Sequence, residues 1–369
     1  MSSKNQKILY MGWLGYKNLG DELLWDLFKE KFHTAMEGQP WELTSTPPRR
    51  FIYGLNVDPF DVVILGGGSI IGQDSIDFLY NAMKKGKKVI IWGTGIDWIE
   101  KEDLKLIEKG HRINLYKYLS KGHCEKLVEV IERAEFAGVR GPLTYEFIKQ
   151  MGANEDKLIL SGDPGVLLSR EQEVAEPLRR FEGSKVIGVN WGTSYNKIYG
   201  GSEKKVEGQL VKAIQSLIKK GYKFYFYSVW ETDIDFTKKL YNQLNDADNI
   251  ILDTNLHHQQ YLLDLISNFY FTINLKLHAN VISAAADVPP ILLAYRYKVF
   301  DFAQSINLNQ LAVSTDCLTI EEEILKLEQL IASDRENIIK NMRSPIQRYK
   351  NIINEPFNNL LYVGKQWPS

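Results

Sequence analysis

Hydrophobic positions along the chain alternate between two spacings. Short β-branched or aromatic runs recur as KILYMGW, WELTST, DVVILGG, KVIIWG, FAGVR and KLILSGD in the first half. The second half repeats the theme with KVIGVN, YKFYFYS, NIILD, FYFTINL, PPILLAY and QLAVS. Apolar runs of this length, bounded by Gly, Asp and Ser, predict buried strands. Between them the spacing becomes helical. In DELLWDLFKEKF, Leu23, Leu24, Leu27 and Phe28 share one face, and Asp21 is placed to cap the start. In GPLTYEFIKQMG, Pro142 suits a first helical turn and Gly152 the stop. Strict alternation of β and α predicts parallel sheets covered on both faces, and two sets in tandem predict two Rossmann-like domains.

The polar stretch SREQEVAEPLRRFEGS interrupts the alternation. The expected organisation is therefore an N-terminal domain over 1–170, a part-helical linker over 171–184 and a C-terminal domain over 185–345. A helical tail over 346–369 would fold back on the first domain. Composition adds limits. With 44% hydrophobic and 25% charged residues the chain can build a real core. Its 45 Lys and Arg balance 46 Asp and Glu, for a net charge of −1. That balance argues against nucleic acid or any general polyanion as partner, so a positive field must be local. No apolar run reaches the ~20 residues that span a bilayer. The start MSSKNQKILYMGW lacks a signal-peptide pattern, which fits a cytoplasmic protein. Cys124 and Cys317 lie far apart without metal-ligand spacing and read as reduced structural thiols. No metal site is expected.

Open parallel sheets bind ligands beyond the carboxyl ends of their strands. The turns there are GWLGYKNLGDE, with Asn18 and Asp21; GGGSIIGQD, with Gly67, Gly68, Ser69 and Asp74; GTGID; SGDPG, with Asp163; and NWGTSY, with Asn190 and Trp191. Each can be a strand-to-helix turn with its cap or the lining of a ligand site, since glycine permits close approach. Gly12, Gly15 and Gly20 do not fit the dinucleotide fingerprint, and no Walker lysine follows. Trp13, Trp191 and Tyr195 either stack on sugar rings or pack.

Cations also collect at these ends. Arg140 closes FAGV, Lys276 and His278 follow FTINL, and Arg296 and Lys298 follow ILLAY. The planar fork of Arg140 suits a carboxylate or phosphate. The other four have no sequence-local acidic partner, so an anion is expected among them, with Arg140 completing the ring from the other domain. His278, at a strand-to-helix turn beside a lysine, can serve as acid or base.

Taken in order, these motifs resemble the polysaccharide pyruvyltransferases, which place a pyruvate ketal on glycans. The resemblance rests on GYKNLGDE at 15–22, the triple glycine of GGGSIIGQD, GTGI at 93–96, VRGPLT, and the G-D-P turn Gly162–Pro164. It continues through KLHA at 276–279, the small-residue helix and V-P after it, and Tyr295 with Lys298. Lys276 stands where the family carries arginine, keeping the charge but losing the fork, and Gly141 stands where an acid is usual. The resemblance implies two domains facing across a cleft, similar to the glycosyltransferase B class, with the acceptor side in the first and the donor side in the second. It implies phosphoenolpyruvate as donor, held by Arg140, Lys276, His278 and Lys298, with no cofactor; the cation pattern adds Arg296 to the donor site, and His278 is the candidate catalytic acid/base. The acceptor would be a cell-surface polysaccharide or its lipid-diphosphate-linked oligosaccharide precursor. A lipid-linked acceptor would bring the protein to the inner face of the membrane. Asn18, Asp21, Gly67, Gly68, Ser69, Asp74, Asp163, Asn190 and Trp191 are the candidates for lining the cleft.

Two other readings share the sequence. A nucleotide-sugar-dependent glycosyltransferase would use the same architecture and a cationic diphosphate site, with a carboxylate in the second domain; Asp253 and Asp301 are the candidates for that carboxylate. A non-catalytic glycan-binding module would need no cation cluster.

Overall fold

A computed structural model describes residues 6–38, 40–47, 55–171 and 176–360. Strands form at the apolar runs: β1 Gln6–Met11, β2 Trp41–Thr46, β3 Val62–Leu65, β4 Lys88–Thr94, β5 Phe136–Val139 and β6 Ile159–Leu160. They continue with β7 Val186–Asn190, β8 Lys223–Tyr227, β9 Ile250–Leu252, β10 Phe271–Asn274, β11 Pro290–Ala294 and β12 Ala312–Ser314. The chain divides into two compact units. The first comprises 1–16, 21–164 and 347–369, and the second comprises 17–20 and 165–346.

The first unit holds a six-stranded sheet of order β2-β1-β3-β4-β5-β6, all parallel. Val62–Leu65 is buried throughout, as a continuous apolar run covered on both faces should be. The covering helices show why they dock. In Gln73–Lys84, the buried side chains Ile76, Leu79 and Met83 recur at three- and four-residue steps, and each such burial stabilises by about 1.5–3 kcal/mol. The last segment of the chain uses the same device. Tyr349, Ile353 and Phe357 are buried. The Trp92 indole N–H donates to the Ile353 carbonyl at 3.0 Å, and the Phe28 and Phe357 rings lie 5.2 Å apart. The long helix Ile320–Glu355 that leads there is broken at Asp334, whose φ of −137° and ψ of 25° are not helical.

The second unit holds a six-stranded parallel sheet of order β12-β11-β10-β7-β8-β9. Its helix Leu277–Ala285 buries nearly every residue, which the small side chains Ala279, Ser283 and Ala284 permit. Both sheets are Rossmann-like, and both reverse their winding once, between β1 and β3 in the first and between β7 and β10 in the second. Such switch points leave a crevice beyond the strand ends where ligands bind.

One expectation changes. The helix expected to start at Asp21 runs Leu19–Ala35, and Asn18 stands at its head, its Oδ1 accepting from the Gly20 N–H at 3.2 Å. Asp21 lies in the first turn instead, where a carboxylate complements the helix dipole. Of the linker expected over 171–184, residues 172–175 lie outside the described residues, and Glu176–Phe181 forms a 3-10 helix that buries Leu178 and Phe181. Among the described residues, no helix is long and apolar enough to cross a membrane.

Candidate functional site

In the first unit, the turn after β3 packs its glycines against other side chains. Gly68 sits at φ +105°, open to glycine at no steric cost, and a Cβ there would lie 3.2 Å from Asp21 Oδ1. Its carbonyl is a hub. It accepts from the Gly95 N–H at 2.9 Å, from Arg140 Nη1 at 3.2 Å and from the Thr94 hydroxyl at 3.3 Å. Arg140 is 0% exposed. Its other terminal nitrogen reaches the Ile96 carbonyl at 3.5 Å, and Nη1 lies 3.9 Å from Asp163 Oδ2. Arg140 Nε makes no hydrogen bond among the described residues. The Tyr10 phenol completes this corner. Burial pushes its pKa well above the usual range, the Asp21 and Asp163 carboxylates add to the rise, and the Gly67 N–H bonded to it opposes.

In the second unit, Asn190 ends β7 and ties three strands together. Its Oδ1 accepts from the Lys276 N–H at 3.1 Å, and its Nδ2 donates to the Tyr227 carbonyl at 3.2 Å. Lys276 precedes the helix Leu277–Ala285 and is 7% exposed. Its ammonium donates to the Thr193 carbonyl, lies 3.2 Å from Asp233 Oδ1 and rests 4.7 Å from the centre of the Trp230 ring. Asp233 is 0% exposed and also accepts from the Thr193 N–H at 3.0 Å. Burial raises its pKa, against the pull of the Lys276 ammonium.

His278 lies in the first helical turn, and residues 17–20 pack over it. A Cβ on Gly20 would fall 1.8 Å from His278 Nδ1, so only glycine fits. The segment is strapped down by an Asn18–Trp230 antiparallel bridge, by the Leu19 N–H to the Val229 carbonyl at 2.9 Å, and by Lys17 to Glu231 at 2.5 Å. The loop after β7 reaches this corner through Thr193, whose carbonyl accepts from Lys276. Buried Glu203 gathers it, accepting from the Thr193 hydroxyl at 2.8 Å and from the Ser194 and Asn196 amides. Farther along, the Lys197 carbonyl accepts from Arg296 Nε at 2.8 Å.

Backbone strain collects at this corner. Among the described residues, six non-glycine positions have positive φ: Lys17, Tyr195, Asn196, Asn245, Asp287 and Asn307. Asn and Asp tolerate that region. Lys17 and Tyr195 do not, at a cost of about 1–3 kcal/mol each, and both belong to the segments that flank Lys276 and His278.

A family model described as polysaccharide pyruvyl transferase matches residues 18–297. The chain belongs to this family. No curated protein sequence matches the chain. Among solved structures, it is similar to S. aureus MnaA in complex with UDP, at TM-score 0.63 and 9% identity, over 98% of this chain and 99% of that one. It is also similar to UDP-GlcNAc 2-epimerase from Neisseria meningitidis bound to UDP-GlcNAc, at TM-score 0.57 and 12% identity, over 96% and 100%. A UDP-glucosyltransferase from Polygonum tinctorium gives TM-score 0.57 and 12% identity, over 99% and 100%. At such identities these likenesses concern the fold, that of the glycosyltransferase B class. The GYKNLGDE and KLHA segments meet as Gly20 on His278.

The expected site residues fall into several environments. Lys276 and His278 are together, with Asn18 and Asn190 beside them. Arg296 and Lys298 follow β11, their cationic groups 5.4 and 5.5 Å from the Tyr295 ring centre. Gly67, Gly68, Asp21, Asp163 and Arg140 share the first-unit corner; Ser69 is half-buried near it, and Asp74 is exposed on the helix Gln73–Lys84. Three placements bear on these expectations. Lys276 has an acidic partner, Asp233, which is distant in sequence and brought close because β8 borders β7. Arg140 is committed to main-chain oxygens and Asp163 of its own unit. Trp191 is 1% exposed, with its indole N–H spent on Glu207 at 3.1 Å, so it is a packing residue. Asp253 accepts from the Tyr225 hydroxyl and from His257, each at 2.5 Å, and Asp301 is buried in the helix Tyr297–Ser305. Sequence reasoning missed Asp233, Trp230 and Glu203. The turn SVWETD after β8 would have supplied the first two, had every strand end been inspected.

Proposed function

We propose that the protein transfers pyruvate from phosphoenolpyruvate to a sugar of a cell-surface glycan or its lipid-linked precursor, as a ketal, releasing phosphate. The observation that carries this is the meeting of Asn18–Gly20 with Lys276 and His278 beyond a switch point, in a chain of the pyruvyl transferase family. Phosphoenolpyruvate carries a carboxylate and a phosphate on one small frame and needs cations at short range. The second unit supplies Lys276, Arg296 and Lys298 at adjacent strand ends. If the glycan is lipid-linked, the protein works at the inner face of the membrane.

In the reaction, one acceptor hydroxyl bonds to the central carbon while the methylene carbon takes a proton and becomes methyl. A second hydroxyl then bonds to the same carbon as the C–O bond to phosphate breaks, and its proton leaves with phosphate. His278 takes the first hydroxyl proton and returns it to the methylene carbon. Gly20 holds the ring in place, and Asp233 holds Lys276.

Purified full-length protein incubated with phosphoenolpyruvate and glycan stripped of pyruvate should release phosphate and add the mass of a pyruvate ketal. His278→Ala should abolish both in a protein that still folds, as its circular dichroism would show. Binding of a UDP-sugar with no binding of phosphoenolpyruvate would instead select a nucleotide-sugar glycosyltransferase, the ligand class named in the structures of similar fold.

A further inference from the structure

We infer that Tyr195 is a sugar-stacking residue that receives a pyranose ring of the acceptor glycan, an inference resting on the transferase function proposed above. Tyr195 is 65% exposed, although hydrogen bonds hold its loop on both sides of it. Its own N–H donates to the Thr193 hydroxyl at 2.9 Å, and that hydroxyl donates in turn to Glu203. Asn196 on its other side is pinned both ways, its N–H to Glu203 Oε1 at 3.1 Å and its Oδ1 to the Glu203 N–H at 2.9 Å.

Exposure alone does not select this ring, because Tyr116 is 60% exposed too. The backbone does. Tyr195 at φ +54° and Asn196 at φ +56° are consecutive left-handed residues, a conformation that glycine would adopt without cost. Four polar contacts to Glu203 and Thr193 hold an aromatic residue there. A ring held out in solvent on a fixed backbone loses little freedom when a ligand covers it, so its contact area converts efficiently into affinity. The apolar C–H face of a pyranose is the matching partner in a glycan. Location agrees: two residues before Tyr195, the Thr193 carbonyl binds the Lys276 ammonium.

The test uses full-length protein and an array of hexopyranoside oligosaccharides, read without donor. Tyr195→Gly removes the ring while relieving the left-handed backbone, so its melting temperature should equal or exceed that of the wild type. Glycan binding should fall roughly tenfold, in line with the loss of one stacking contact, and Tyr195→Phe should retain it. Unchanged binding by Tyr195→Gly, or no pyranoside bound by the wild type, overturns the inference. Loss of binding in Tyr195→Gly in a protein that never consumes phosphoenolpyruvate would uphold the stacking role and sink the transferase reading instead.

Discussion

Each unit buries a cation beside a carboxylate at the carboxyl edge of its sheet, yet the two pairs are built for different ends. Arg140 is wholly enclosed, and its guanidinium serves the carbonyls of Gly68 and Ile96. Its planar fork matches two main-chain oxygens in two separate turns, so it fastens the glycine turns to each other. Lys276 is almost as buried, but its point charge sits between Thr193, Asp233 and the face of Trp230, next to a titratable imidazole. Strained residues flank the second corner. A buried ion pair is thus no guide to function by itself; what surrounds it decides.

The sharpest way to break this comparison is Arg140→Met. It would take the buried guanidinium away from Asp163 and remove one of three donors on the Gly68 carbonyl, and stability should fall by about 3–5 kcal/mol in denaturant melts. A variant that folds as well as the wild type but no longer binds phosphoenolpyruvate would make Arg140 a donor ligand after all.

Gly20→Ala probes the second corner with less damage to the fold. The added methyl overlaps the His278 ring and must displace it. Turnover should drop roughly a hundredfold, the scale expected for a catalytic group moved by about 1 Å. Wild-type kinetics in this variant would mean that the position of His278 does not matter.

The smallest effect is electrostatic. Burial raises the pKa of Asp233, so the folded state holds its proton more tightly than the unfolded chain does. This contribution favours folding at low pH and is lost as pH rises from about 4 through the folded value. Asp233→Asn resembles the protonated acid, so at low pH it should be about as stable as the wild type. As pH rises across that window a gap in favour of the variant should open, by at most about 1.4 kcal/mol per pH unit. A constant gap would show that Asp233 titrates alike in both states.

Much of the architecture was legible. Runs such as VVIL and FTIN are too apolar and too short for anything but buried parallel strands, and the glycine-bearing turns mark their carboxyl ends. The candidate site was legible only in part. Lys276 and His278 stand out because charge at the end of an apolar run needs a reason. Asp233 does not, since a carboxylate in an ordinary turn carries no signal until strand order sets β8 beside β7. Arg140 poses a related problem: sequence marks a cation at a strand end but not the carbonyls beside it. The left-handed backbone of Tyr195 is likewise invisible, because nothing in its residue type announces it.

The path of the chain carries one more consequence. Residues 17–20 belong with the second unit, and the stretch beyond 346 belongs with the first. No single cut therefore yields two self-sufficient halves. A fragment ending near the middle would lack the cover that Tyr349, Ile353 and Phe357 give to Trp92 and Phe28. Exchanging either half with a relative would mean transplanting noncontiguous pieces as a set.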